Sequence, residues 1–353
     1  MARINLLTMH YDDNNGAFMQ TYATSRILME LGHRVTIINL VKKGWFLGRF
    51  KQAYSYKLIL RYLKFNHCRT RFYPRMTSMM FSPKMKKIPK ADWTIVGSDQ
   101  VWNPMVTSFS YLSYFLSFLA NNDKRLSLSS SFGTKEWILG EEERAKVFDE
   151  LHKFTAVSVR ENEGVRICKE TFGIDAVRLS DPTLVLSDYS CMNRPYKGEP
   201  YIGLFTFKPN GYSMDIANEL SNHLGLMVKW VNSIVPYRDT SNIQGCRSWK
   251  QGPVEWYNHI GHSSFFISDS FHGVAFCLIQ HIPFIALVAD DRKISRITSL
   301  LKTYGLTDRL VQSTDEFHKH LSQYLSPIDW DKVDNVRLIE RERYIQFINS
   351  NIG

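Results

Sequence analysis

Short apolar runs alternate along this chain with stretches whose apolar positions recur every third or fourth residue. The run INLLTM leads into the polar loop HYDDNNG. After it, Phe18, Met19, Tyr22, Ala23, Ile27, Leu28 and Leu31 repeat at helical spacing and predict a helix over Ala17–Leu31, stopped by Gly32. RVTIINL then reads as a second strand, and a strand–helix–strand unit of this kind builds a parallel sheet. The pattern resumes with WTIVGSD and KRLSLSSSFG as strands. EERAKVFDELHKF follows as a helix with Val147, Phe148, Leu151 and Phe154 on one side, then the strand AVSVR, the helix EGVRICKETFG and AVRLSDPTLVL, a strand entering a loop.

Around residues 187–200 the chain turns polar, and a second alternation begins. YIGLFTF, MVKWVN, FFISDS and PFIALV read as strands. Asp215–Leu224, PVEWYNHIGH and a stretch from about Gly273 read as helices. Two similar α/β halves predict two Rossmann-like domains facing each other across a cleft. The N-terminal domain is expected over 1–190, the C-terminal one over 196–325 and a helical tail over 326–353. The 353 residues suit two domains, and 44% hydrophobic content suits a globular chain.

Charge changes this picture at one place. Residues 41–90 hold fourteen Lys or Arg and no Asp or Glu, so the other 303 residues, thirty basic against thirty-four acidic, carry a net −4. This insertion also carries GWFLGRFKQAYSYKLILRYLKF. It is read as a nucleic-acid surface, a contact with an anionic membrane or a solvated face; basic side chains flanking Trp, Phe and Leu suit the membrane. The first residues do not form a secretory signal, and the most apolar stretch, SFSYLSYFLSFLA, is too short and too rich in serine to span a bilayer. Five scattered cysteines, Cys68, Cys168, Cys191, Cys246 and Cys277, form no CxxC pair. They point to a reducing, cytoplasmic setting rather than to disulfides or zinc.

Two segments, TIVGSDQVWNP and FFISDSFHGVAF, each run an apolar strand into a Ser-Asp turn. Either turn alone reads as a helix cap; one in each half, on faces that meet across a cleft, points to a site. His272 is the strongest candidate, because a helix start and a nearby acid leave an imidazole able to exchange protons near neutrality. His10, His33, His67, His152, His223, His259, His262 and His281 lack such a context. No metal-ligand spacing, GxGxxG, Walker loop or GxSxG elbow occurs.

The segments NNGAFMQTYATSRILMELGHRVTIINL, DWTIVGSDQVWNP, LSSSFG, VSVRENEGVRICKETFGIDAVRLSDPTLVL, ISDSFHGVAFCLIQHIPFIAL and SRITSLLKTYGLTDRL, in that order, resemble the polysaccharide pyruvyl transferases over nearly the whole chain. GSDQVW is the most specific piece. The resemblance implies a GT-B-like fold and transfer of pyruvate from phosphoenolpyruvate, a donor substrate rather than a cofactor, onto two hydroxyls of a sugar as a ketal. It places the reaction in exopolysaccharide or capsule biosynthesis, on a lipid-linked repeat unit at the inner face of the cell membrane. No metal and no nucleic acid are expected. Carried over by position, His272 is the general acid/base, and Asp99 shares the catalytic role. Asn15, Gly16, Ser98, Gln100, Asp269 and Ser270 contact substrate. Arg160 and Arg296 suit carboxylate and phosphate, although ion pairs between elements would explain these arginines equally well. Some relatives carry Arg-Leu-His where this chain has Ser270, Phe271 and His272, so either another cation holds the donor or the donor differs. The alternative is a glycosyltransferase using a nucleotide sugar on the same fold.

Overall fold

The computed structural model describes residues 1–42, 56–83, 87–108, 110–206, 211–231, 251–288 and 291–352. The aromatic run GWFLGRFKQAY of the basic insertion and Cys246 lie outside the described residues. The N-terminal half runs β1 (Arg3–Leu7), α1 (Asn15–Glu30), β2 (Arg34–Ile37), α2 (Tyr56–Phe72), β3 (Arg75–Met76) and β4 (Trp93–Val96). It continues with α3 (Pro104–Thr107), β5 (Arg125–Ser127), α4 (Glu141–Leu151), β6 (Ser158–Val159), α5 (Asn162–Phe172), β7 (Val177–Arg178) and α6 (Pro182–Val185). The C-terminal half runs β8 (Tyr201–Phe205), α7 (Gly211–Leu224), β9 (Met227–Trp230), α8 (Pro253–Gly261), β10 (Phe265–Ser268), α9 (Phe271–Gln280) and β11 (Phe284–Leu287). It ends with α10 (Asp291–Tyr304), β12 (Leu310–Val311), α11 (Thr314–Lys319), α12 (Leu321–Tyr324) and α13 (Trp330–Ile352).

The strands pair in parallel, in the order β3-β2-β1-β4-β5 in the first sheet and β12-β11-β10-β8-β9 in the second. β6 and β7 continue the first sheet through parallel bridges from Leu126 to Ala156 and from Ser130 to Val159. In the first half the order is that of a dinucleotide-binding sheet; the second half, counted from β8, has the flavodoxin-like 2-1-3-4-5 order. Both are doubly wound, and each has a switch point where connections leave in opposite directions: between β1 and β4, and between β8 and β10.

Where the elements differ from the sequence reading, side chains explain why. The run KRLSLSSSFG gives only a three-residue strand, because serines intercept the ladder: Ser158 N donates to Ser127 Oγ (2.8 Å) and Ser129 N to Ser158 Oγ (3.0 Å). Phe148, expected to be on the apolar side of α4, is exposed. α1 is buried nearly all round rather than on one face, because it lies between the first sheet and the helices of the other half. Two of its buried polar residues find backbone partners, with Gln20 Nε2 donating to Met9 O (3.0 Å) and Thr21 Oγ1 to Ala17 O (2.8 Å).

One core crosses between the halves. It joins Phe18 and Tyr22 of α1, Leu184 and Val185 of α6, Trp256 of α8, Phe276 of α9, and Tyr344 and Ile348 of α13. Two smaller cores lie on the outer faces of the sheets. α13 returns from the second half to the first. There Glu340 accepts from Arg178 Nη2 (2.7 Å) and Ser180 Oγ (2.5 Å), and Arg341 Nη1 donates to Val185 O (2.8 Å). Among the described residues, no helix is long and apolar enough to cross a membrane.

Candidate functional site at the seam of the two sheets

The loops that leave the carboxyl ends of β1, β4, β6, β7 and β10 meet at the seam between the halves. β4 is buried throughout and ends in Gly97, Ser98 and Asp99. Asp99 adopts φ 77°, and its Oδ1 accepts from Gln100 N (2.8 Å), a local bond that accompanies the left-handed backbone. Trp102 anchors the loop: it is fully buried, stacks on Phe115 (5.2 Å between centroids) and donates to Tyr114 O (2.9 Å). Gln100 turns toward the loop itself and accepts from Asn103 Nδ2 (2.9 Å). It therefore braces the turn through its Oε1.

Across the seam, α9 starts two residues earlier than the periodicity predicts. Ser270 is its N-cap, with Oγ facing Gly273 N (3.4 Å), so His272 sits in the first turn. Asn14 caps α1 in the same way, and Asn15 and Gly16 form its first turn. The two first turns touch. A Cβ at position 16 would overlap His272 Nδ1 and lie 2.7 Å from its Cγ, so only glycine admits the imidazole. Asn15 beside it is buried, and its Oδ1 finds no partner among the described residues. Two helix N-termini pointing at one place make a well for negative charge.

The centre of the site is a residue to which the sequence reading gave no role. Asp181 is fully buried as the N-cap of α6, where its Oδ1 accepts from Thr183 N (3.0 Å) and Thr183 Oγ1 (2.7 Å). Its Oδ2 accepts from Ser98 Oγ (3.0 Å) and Arg160 Nη1 (2.8 Å) and lies 3.6 Å from His272 Nε2. Burial disfavours this carboxylate, but the interaction with His272 and then the charge of Arg160 outweigh it. The group is held far below the usual carboxylate range. The signal was present, for Ser180-Asp181 is a third Ser-Asp pair at a strand end. It was hidden because the segment reads as a strand entering a loop, whereas Asp181 caps a four-residue helix.

Arg160 follows β6. Its Nε donates to Glu161 Oε1 (3.0 Å), its guanidinium lies 4.5 Å over the Phe271 ring, and its Nη2 has no partner among the described residues. Burial opposes its charge, and Glu161, Asp181 and Asp99 restore it and raise its pKa. Arg296 of α10 shares a pocket with Arg160, Arg178, Ser180, Ser299 and Thr303. Burial, and next the charge of Arg160, lower its pKa, and its Nε is also without a partner among the described residues. Two guanidiniums with buried, unfilled N–H groups suit a bound carboxylate or phosphate. Of the predicted residues, Gly16, Ser98, Arg160, Ser270, His272 and Arg296 thus come together with Asp181. Asp99 acts on the two arginines through charge. Asp269 is buried behind the α9 cap.

The fold and several segments have counterparts. The sequence model of the polysaccharide pyruvyl transferase family matches residues 14–291. Among curated proteins, no sequence matches the chain. Among solved structures, the glycotransferase of kitacinnamycin superposes with a TM-score of 0.53 at 11% identity, covering 100% of this chain and 99% of its own. A Staphylococcus aureus MnaA–UDP structure gives 0.52 at 9% identity, covering 94% and 90%. The Methanocaldococcus jannaschii UDP-GlcNAc 2-epimerase in complex with UDP-GlcNAc and UDP gives 0.50 at 12% identity, covering 96% and 99%. These likenesses show the GT-B-like fold.

Proposed function

The chain belongs to the polysaccharide pyruvyl transferase family, and from that premise we propose that it moves pyruvate from phosphoenolpyruvate onto two hydroxyls of a sugar in a lipid-linked polysaccharide repeat unit. The observation that carries this reading is the pairing of buried Asp181 with the partly exposed His272, 3.6 Å apart, where the first turns of α1 and α9 meet. An enolpyruvyl donor brings a carboxylate and a phosphate. The free N–H groups of Arg160 and Arg296 suit the carboxylate, and the paired helix N-termini suit the phosphate. Arg160, resting on Phe271, then supplies the cation that Ser270 does not.

The chemistry follows from these positions. His272, with Nε2 3.6 Å from Asp181, protonates the donor's methylene carbon and leaves an oxocarbenium-like centre. A sugar hydroxyl attacks that centre and gives its proton to the imidazole. Phosphate leaves with its bonding electron pair, the second hydroxyl closes the ketal, and its proton departs with phosphate. Such an acceptor is presented at the inner membrane face, where the acid-free stretch 41–90 would meet anionic lipid.

Phosphate release from phosphoenolpyruvate should depend on acceptor and fall by about 10²–10⁴-fold in His272→Gln. Release that persists unchanged in this variant would sink the assignment. A thermal-shift comparison separates the nucleotide-sugar alternative, since stabilisation by UDP-sugars and not by phosphoenolpyruvate would favour it.

A further inference from the structure

Outside the seam, α2 and α8 flank a groove of about 490 Å³. Its floor is apolar: Leu60, Leu63 and Phe72 from α2 and Val254 from α8. Its rim is cationic, with Lys64, Arg71 and Arg194; Glu255 is the one acid among its described lining residues and pairs with Lys64. Arg71 lies 5.4 Å over the Phe72 ring and, like Arg194, is exposed. Leu63 is 53% exposed, an open apolar position between cations.

One end of the groove is braced to the site. Arg61 Nη2 donates to Asp13 O (2.7 Å), just before the first turn of α1, and Phe65 packs edge-on against Phe18 of α1 (6.4 Å). From Leu60 to Phe72 the groove follows α2 for about 18 Å. Its contents call for an amphiphile, because a sugar phosphate has no use for the floor and a neutral lipid none for the rim. Concavity also matters. A single hydrocarbon chain can lie along such a groove.

We propose that this groove seats the phosphate-bearing lipid of the acceptor, a polyisoprenyl phosphate or diphosphate, with its anion on Arg71, Arg194 and Lys64 and its chain along Leu60, Leu63 and Val254. The inference rests on the reading of the acceptor as lipid-linked. It adds where the carrier lies while the sugar enters the seam.

The test is co-sedimentation of the full chain with phosphatidylcholine vesicles containing undecaprenyl phosphate, against vesicles matched in charge with phosphatidylglycerol. Preferential binding to the polyprenyl phosphate is expected. It should weaken at least about tenfold in R71E/R194E, weaken in Leu63→Asp, and strengthen in Glu255→Gln, which frees Lys64 and keeps a polar cap on α8. Unfolding midpoints near the parent's establish that each variant is folded. Equal binding to both vesicle types would mark a general membrane surface and overturn the seat, as would binding unchanged in R71E/R194E or in Glu255→Gln. Vesicle binding needs no turnover. A failed seat therefore leaves pyruvyl transfer standing, and a chain that binds the lipid yet releases no phosphate from the donor condemns only the transfer.

Discussion

At the scale of single residues, Asp181 and Gly16 carry the arrangement. Removing the Asp181 carboxylate leaves Arg160 buried beside a missing charge, so Asp181→Ala should cost about 3–5 kcal/mol of stability, read by denaturant unfolding. The pH dependence has a definite sign. The folded pKa lies below the unfolded one, so the stabilisation is complete above the ordinary carboxylate range and lost as pH falls through and below it. Acid unfolding should therefore be less steep in Asp181→Asn than in the parent. Gly16→Ala makes a separate prediction. Its methyl group displaces the imidazole, and a misplacement of this size costs about a hundredfold in turnover with little loss of stability. In the His272→Gln background the same change should cost almost nothing more; full additivity would show that Gly16 acts elsewhere.

At the scale of elements, the outcome at α9 turns on its first two residues. With Ser270 as cap and His272 in the first turn, a negative charge at position 270 keeps the helix start and repels an anionic donor. Ser270→Asp should therefore unfold near the parent's midpoint while its KM for phosphoenolpyruvate rises at least about tenfold. An unchanged KM would place the donor away from this turn. The strands were legible because WTIV, FFIS and FIAL are buried on both faces and apolar apart from Thr94 and Ser268. Helix starts were less so, since periodicity begins only with the first apolar face, whereas caps set the true boundary. α6 was not legible at all: at four residues it has no period to read. That is why Asp181, its cap, escaped notice, although the segment RLSDPTLVL was recognised as part of a family pattern.

At the scale of the whole molecule, two sheets of different strand order are wound so that both switch points open on one seam. A site shared this way needs the halves held in register, and α13 supplies the strap. It leaves the second half, packs in the common core, and inserts Glu340 beneath Arg178 and Ser180, directly before Asp181 in sequence. Glu340 is buried while Arg178 is one-fifth exposed, so Glu340→Ala strands a largely buried guanidinium and should cost about 3–5 kcal/mol. The common core makes a further demand. If α13 couples the halves, the loss must appear in both, and hydrogen exchange should speed up together in peptides covering β4 and β10, which lie on opposite sides of the seam. Faster exchange confined to β4 would mean that the halves open independently and that α13 only braces the first. Common loosening, with turnover falling in step, would show that the strap keeps Asp181 against His272.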